Sequence, residues 1–131
     1  MAPENALLAM IFRGSMIEAI QRIPIPLLLL IATTLEVSGD AVVRLTLYQH
    51  TGLVSAAGFL GGAALLLGYG FFLNVAPVEF GRIVGLYIAT LFIVWQVINL
   101  LVFRAIPGLP VWAGGTLIIA GGLITTFWRA A

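Results

Sequence analysis

Three charged side chains stand four residues apart in an otherwise apolar stretch: Glu36, Asp40 and Arg44, within Ala32-Thr-Thr-Leu-Glu-Val-Ser-Gly-Asp-Ala-Val-Val-Arg44. A carboxyl set in hydrocarbon can exchange a proton for a cation. Steps of four residues drift by only about 40° around a helix, so the three share one face, with Thr33 beside them. Glu36, Asp40, Arg44 and Thr33 are therefore the candidate proton- and substrate-binding residues. Asp40 and Arg44 form an i,i+4 pair with the acid first, which is the favourable order. That spacing predicts a nearly neutral unit toward one end of the helix and leaves Glu36 without a partner on its own helix. The competing reading is a purely structural Glu36, salt-bridged to Arg44 or Arg82.

The element that positions these charges runs from about Ile25 to Tyr48, long enough to cross a bilayer, for which about 20 residues are needed. Glu36 falls near its middle, where a charge costs about 2.5–3.5 kcal/mol on insertion scales. The rest of the chain reads the same way. Of its 131 residues 62% are hydrophobic and 8% charged, against about 25% charged in a soluble domain, and the mean hydropathy is +1.16. This is the composition of an integral membrane protein. With no cysteine there is no disulfide, thiolate ligand or thiol nucleophile. The single histidine, His50, cannot build a metal site by itself, so neither metal nor cofactor is expected. A net charge of +1 offers no basic patch, which argues against nucleic acid as a partner. Met1–Phe12 does not read as a signal peptide, because its first charge is Glu4 and a signal places positive charge before its apolar core.

Residues 1–24 are predicted to form an N-terminal amphipathic, interfacial helix, opened by Pro3 or Asn5. From Gly14 to Ile23 the pattern is two-faced, with Gly14, Ser15, Glu18, Gln21 and Arg22 opposite Met16, Ile17, Ala19, Ile20 and Ile23. Ala6–Phe12 is apolar all round and too short to span. Such a helix either skims the membrane or docks a larger membrane complex. Pro24-Ile-Pro26 breaks it.

Residues 25–131 are predicted to be a transmembrane domain with four spans at about 25–48, 53–74, 82–103 and 111–128. The fold class is thus all-α integral membrane: a four-transmembrane-helix bundle preceded by an interfacial helix. On the second span Gly58, Gly61, Gly62, Leu65, Gly68 and Tyr69 fall on one face, where Gly58 and Gly62 make a small-xxx-small pair suited to close helix packing. The third carries Gln96 and Asn99 three residues apart, which predicts that they lie together as structural glue or as part of a polar path; Tyr87 points to another side of that helix and is counted with them as a candidate for that secondary polar path. On the fourth, Gly114, Ile118, Gly121 and Thr125 form another close-approach stripe. Trp112 and Trp128 stand at its ends as interfacial anchors. Four spans put both termini on one side, with Arg13, Arg22, Arg82 and Arg129 there and Arg44 and Arg104 opposite, which favours a cytoplasmic N-terminus.

With these motifs in hand, the chain from Pro26 to Phe127 resembles the small multidrug resistance group of the drug/metabolite transporter superfamily. That family carries a membrane-embedded glutamate in its first span with a basic residue eight positions later, as Glu36 and Arg44 stand here. Its fourth span begins Leu-Pro and has glycines seven apart, matched by Leu109-Pro110, Gly114 and Gly121. The approach to the third span, with Pro77, Gly81, Arg82 and Tyr87, looks like the YnfA-type branch of small inner-membrane proteins. The resemblance implies a homodimer joined through the fourth span, seated in the cell inner membrane. It also implies proton-coupled export of cationic or polar small molecules, with the paired glutamates lining one cavity. The sequence departs from the family at Asp40, an acid the pattern does not require. It also has Gly62 and Gly85 in place of aromatic residues and Ile88-Ala89 in place of paired glycines.

A small proton-coupled transporter is the leading reading. The alternatives are an accessory subunit of a larger membrane complex, reached through residues 1–24, and a component of a lipid or lipid-linked sugar translocase. An enzyme is not expected, and no residue is assigned a catalytic role: no span holds histidine or cysteine, and none beyond the first holds an acid to complete a pair.

Overall fold

The computed structural model describes residues 3–128, so Arg129, which entered the charge count of the two membrane sides, lies outside the described residues. All regular structure within that range is helical: α1 (Pro3–Gln21), α2 (Ile25–Gln49), α3 (Gly52–Val75), α4 (Phe80–Phe103) and α5 (Leu109–Phe127). The last four are long and apolar enough to cross a membrane. The protein is an all-α, multi-pass membrane bundle.

Local chemistry explains where the helices stop. Pro24 has an extended backbone, and Pro26 lies in the first turn of α2, where its missing N–H costs nothing. Gly52 opens α3 with φ +66°, a left-handed conformation that a side chain would strain. Arg104 closes α4 in the same region at φ 53°, a place usually taken by glycine.

α2 lies between α3 and α4, and α5 packs on the outer side of α4. Burial confirms the central place of α2: 39% of its spanning window is buried, against 11% for each of the other three. Leu28, Leu29, Ala32 and Thr33 are fully enclosed, whereas Leu53, Leu67 and Leu117 face outward where lipid would lie. Without a hydrophobic drive between helices in lipid, small residues set how closely they pack. A Cβ added at Gly62 would come within 2.6 Å of Val43 Cγ2 and 3.3 Å of the Gly39 carbonyl oxygen, so α2 and α3 touch backbone to backbone. Gly58 sits against Thr46 in the same seam. On the other side of the bundle, a Cβ at Gly85 would lie 2.7 Å from the Gly122 carbonyl oxygen.

This second seam keeps part of the expected stripe, with Thr125 against Gly85 and Ile118 beside Phe92 and Trp95, but its glycines differ. Gly115 and Gly122 face α4, while Gly114 and Gly121 have nothing beside them. The glycines of α5 come in adjacent pairs about 100° apart, so one line meets α4 and the other looks out of the protomer.

α1 buries none of its residues. Its tie to the bundle is at its end, where Gln21 Nε2 donates to the Val75 carbonyl oxygen at 3.2 Å.

Candidate functional site

α2 and α4 run parallel, so each end of their seam can be described as a half. The near half holds the starts of both helices and the end of α3; the far half holds their C-terminal ends.

In the near half, Leu29 and Ala32 of α2, Leu73 of α3 and Ile83 of α4 form a closed apolar cluster, with Tyr69, Leu86 and Tyr87 packed on it. Glu36 sits at the inner edge of that plug. The Tyr87 hydroxyl donates to Glu36 Oε2 at 2.7 Å. A tyrosine has one hydroxyl proton, so Tyr87 engaged in this way accepts from Tyr69, whose oxygen is 3.0 Å away. The two rings stack with centroids 6.2 Å apart and planes 17° from parallel. Glu36, Tyr87 and Tyr69 thus form one hydrogen-bonded chain across α2, α4 and α3. Among the described residues no guanidinium pairs with Glu36, so neither Arg44 nor Arg82 gives it a salt bridge.

Tyr87 therefore turns toward the acid and does not merely pack. Tyr69, which the sequence placed only on the glycine face of its span, completes the group. The usable signal was its hydroxyl, since a polar tip on a closely packed span needs a partner inside the bundle. Thr33 is buried, and its hydroxyl donates to Leu29 O at 2.8 Å, so its single proton is engaged within its own helix.

The far half is open. A cavity of about 580 Å³ lies between α2 and α4, walled by Asp40, Arg44 and Tyr48 on one side and Trp95, Asn99 and Phe103 on the other. Glu36 does not line it. The expected Asp40–Arg44 pair does not form: among the described residues no ion pair joins them. Arg44 instead stands over the Tyr48 ring, its guanidinium carbon 5.4 Å from the centroid. The favourable i,i+4 order is worth only a few tenths of a kcal/mol, which a cation–π contact of about 0.5–1 kcal/mol can outweigh.

Gln96 and Asn99 also part company. Asn99 lines the α2–α4 cavity, whereas Gln96 borders a hollow of about 360 Å³ with Phe92, Trp95 and Ile118, on the α5 side of α4. Three residues on a helix are about 60° short of a full turn, enough to put the two amides in different spaces. Among the described residues, no three His, Cys, Asp or Glu side chains gather where they could hold a metal ion.

Compared with family models, curated proteins and solved structures, the chain finds no match.

Proposed function

We propose that the protein is a small proton-coupled membrane transporter, an exporter of cationic or polar small molecules that works as a homodimer with Glu36 as its proton and substrate switch. The observation that carries this reading is the carboxyl of Glu36 at mid-span, held by the Tyr87 hydroxyl at 2.7 Å and, among the described residues, without an ion pair to a basic side chain. A carboxylate bound in this way can give up the tyrosine contact for a proton or for a substrate cation, and the two compete for one negative charge. Competition of that kind is the minimum that exchange requires. The outward line of Gly114 and Gly121 supports the dimer, since it leaves a smooth strip on α5 for a second copy to approach. In this reading the protein lies in the cell inner membrane with its N-terminus in the cytoplasm.

The test is proton release from detergent-solubilised protein on addition of guanidinium compounds and polyamines. Wild type should release protons and Glu36→Gln should not; equal release from both would overturn the proposal. Replacement of Gly121 by leucine, which meets open space in the protomer, should separate the dimer while leaving each copy folded.

A second reading, an accessory subunit of a larger membrane complex, is favoured by α1. That helix is exposed along its length, with Leu8, Ile11 and Phe12 all open. Native purification distinguishes the two: a self-dimer supports transport, and a larger partner in fixed proportion supports the subunit.

A further inference from the structure

The cavity in the far half is built differently from the Glu36 site. Its volume, about 580 Å³, is in the range of small-molecule sites, about 300–1,000 Å³. One wall carries an acid and a base that are both exposed and do not pair with each other. Each charge within a span costs about 2.5–3.5 kcal/mol at its centre, and such residues are found where they face water, a partner or a ligand. An acid and a base four residues apart on a membrane helix would be expected to close on each other. Here Arg44 stands over the Tyr48 ring instead, and both Asp40 and Arg44 line the cavity.

We propose that this cavity is a binding site for a small zwitterion, a molecule with an ammonium group and a carboxylate or phosphodiester a few bonds apart. Four residues of helix put Asp40 and Arg44 about 6 Å apart along the axis of α2, so a ligand with both charges lies along that helix. Its ammonium meets Asp40, the deeper of the two. Its anionic group meets Arg44, whose planar guanidinium can rest on Tyr48 and still present N–H groups to two oxygens. Trp95 on the opposite wall supplies an aromatic surface, the kind that attracts an ammonium, and the Asn99 amide supplies both a donor and an acceptor. A ligand with only a positive charge leaves Arg44 without its counter-ion, and one with only a negative charge leaves Asp40 so. Two sources offer this chemistry: the headgroup of a zwitterionic lipid, and a free amino acid. Glu36 does not line this cavity, although it stands one helical turn, about 6 Å, from Asp40.

Calorimetric binding to the full chain in nanodiscs of phosphatidylglycerol, which hold no zwitterionic lipid, tests the proposal. Glycerophosphoethanolamine and alanine are the zwitterionic probes; ethylamine and dimethyl phosphate carry one charge each. At least one zwitterion should bind about tenfold or more tighter than either single-charge probe. Asp40→Asn and Arg44→Gln should each remove that preference, and Trp95→Ala, which leaves the charges in place, should weaken binding. Glu36→Gln, which alters a charge one turn from Asp40, should change the affinity but keep the preference for a zwitterion, so failure of the transport reading and failure of this site are told apart. Binding of glycerophosphoethanolamine alone assigns the lipid source, and binding of alanine alone the solute; both uphold the site. If neither zwitterion binds, if ethylamine binds as tightly as they do, or if Asp40→Asn and Arg44→Gln change nothing, the proposal is wrong.

Discussion

The two halves of the α2–α4 seam use the same pair of helices and reach opposite results. In the near half the facing residues are Leu29, Ala32, Ile83 and Tyr87, which interlock around a closed core. In the far half they are Asp40, Arg44, Trp95 and Asn99, which line an open space. Apolar and aromatic groups fill the gap between parallel helices at native density. Charges resist such packing because each needs water or a partner. The near half has an acid as well, but the Tyr87 hydroxyl, itself bonded to Tyr69, gives Glu36 a donor from inside the bundle, and all three side chains are half-buried there. A charge in a span therefore closes or opens a bundle according to whether neighbouring helices bring it a donor.

This contrast predicts unequal responses to mutation, best measured by denaturant unfolding in detergent. The largest effect belongs to the near core. Leu29→Ala should cost about 2–4 kcal/mol, whereas Leu47→Ala, at the rim of the far cavity and 60% exposed, should change stability by less than about 0.5 kcal/mol. Equal losses would remove the contrast.

Next in size is the tyrosine bridge. Tyr87→Phe should cost about 1–2 kcal/mol, since it ends the contact with Glu36 and strips Tyr69 of its acceptor. Tyr69→Phe should cost less, because the bond from Tyr87 to Glu36 survives it. A double-mutant cycle with Glu36→Gln gives the sharper comparison: strong coupling to Tyr87 and weaker coupling to Tyr69 is the expected order.

At the far end of α4, Arg104→Gly should stabilise by about 0.5–1 kcal/mol, because it relieves a left-handed residue at the helix terminus. The smallest expected effect is that of Asp40→Asn, within about 0.5 kcal/mol of wild type or slightly stabilising, since an unpaired charge leaves the span. A loss as large as that of Tyr87→Phe would mean that Asp40 has a structural partner and that the far half is not a free site.

Much of the architecture was legible from residue order. The ends of the four spans fall within two residues of their expected positions, because apolar run length and Pro24, Pro26 and Gly52 act locally. Gly58 and Gly62 also pack as read, since small residues on one helical line have one use in a tight seam. The site was less legible. Glu36 stands out by its depth and by the lack of a partner on its own helix, but the periodicity of α4 and α3 does not show that Tyr87 donates to it or that Tyr69 bonds to Tyr87.

The sequence by itself determined that this is a four-span membrane bundle, that Glu36 lies at mid-span, and that Asp40 and Arg44 follow on the same face. Those properties depend on hydropathy and on the 3.6-residue period, which each helix carries alone. Only the tertiary structure decided that Glu36 meets Tyr87 and Tyr69, that Asp40 and Arg44 remain apart beside a cavity, and that Gly115 and Gly122 rather than Gly114 and Gly121 meet α4. Periodicity gives each residue an angle about its own axis. Which angles face each other is set by where the neighbouring helices cross, and that is a property of the packed bundle.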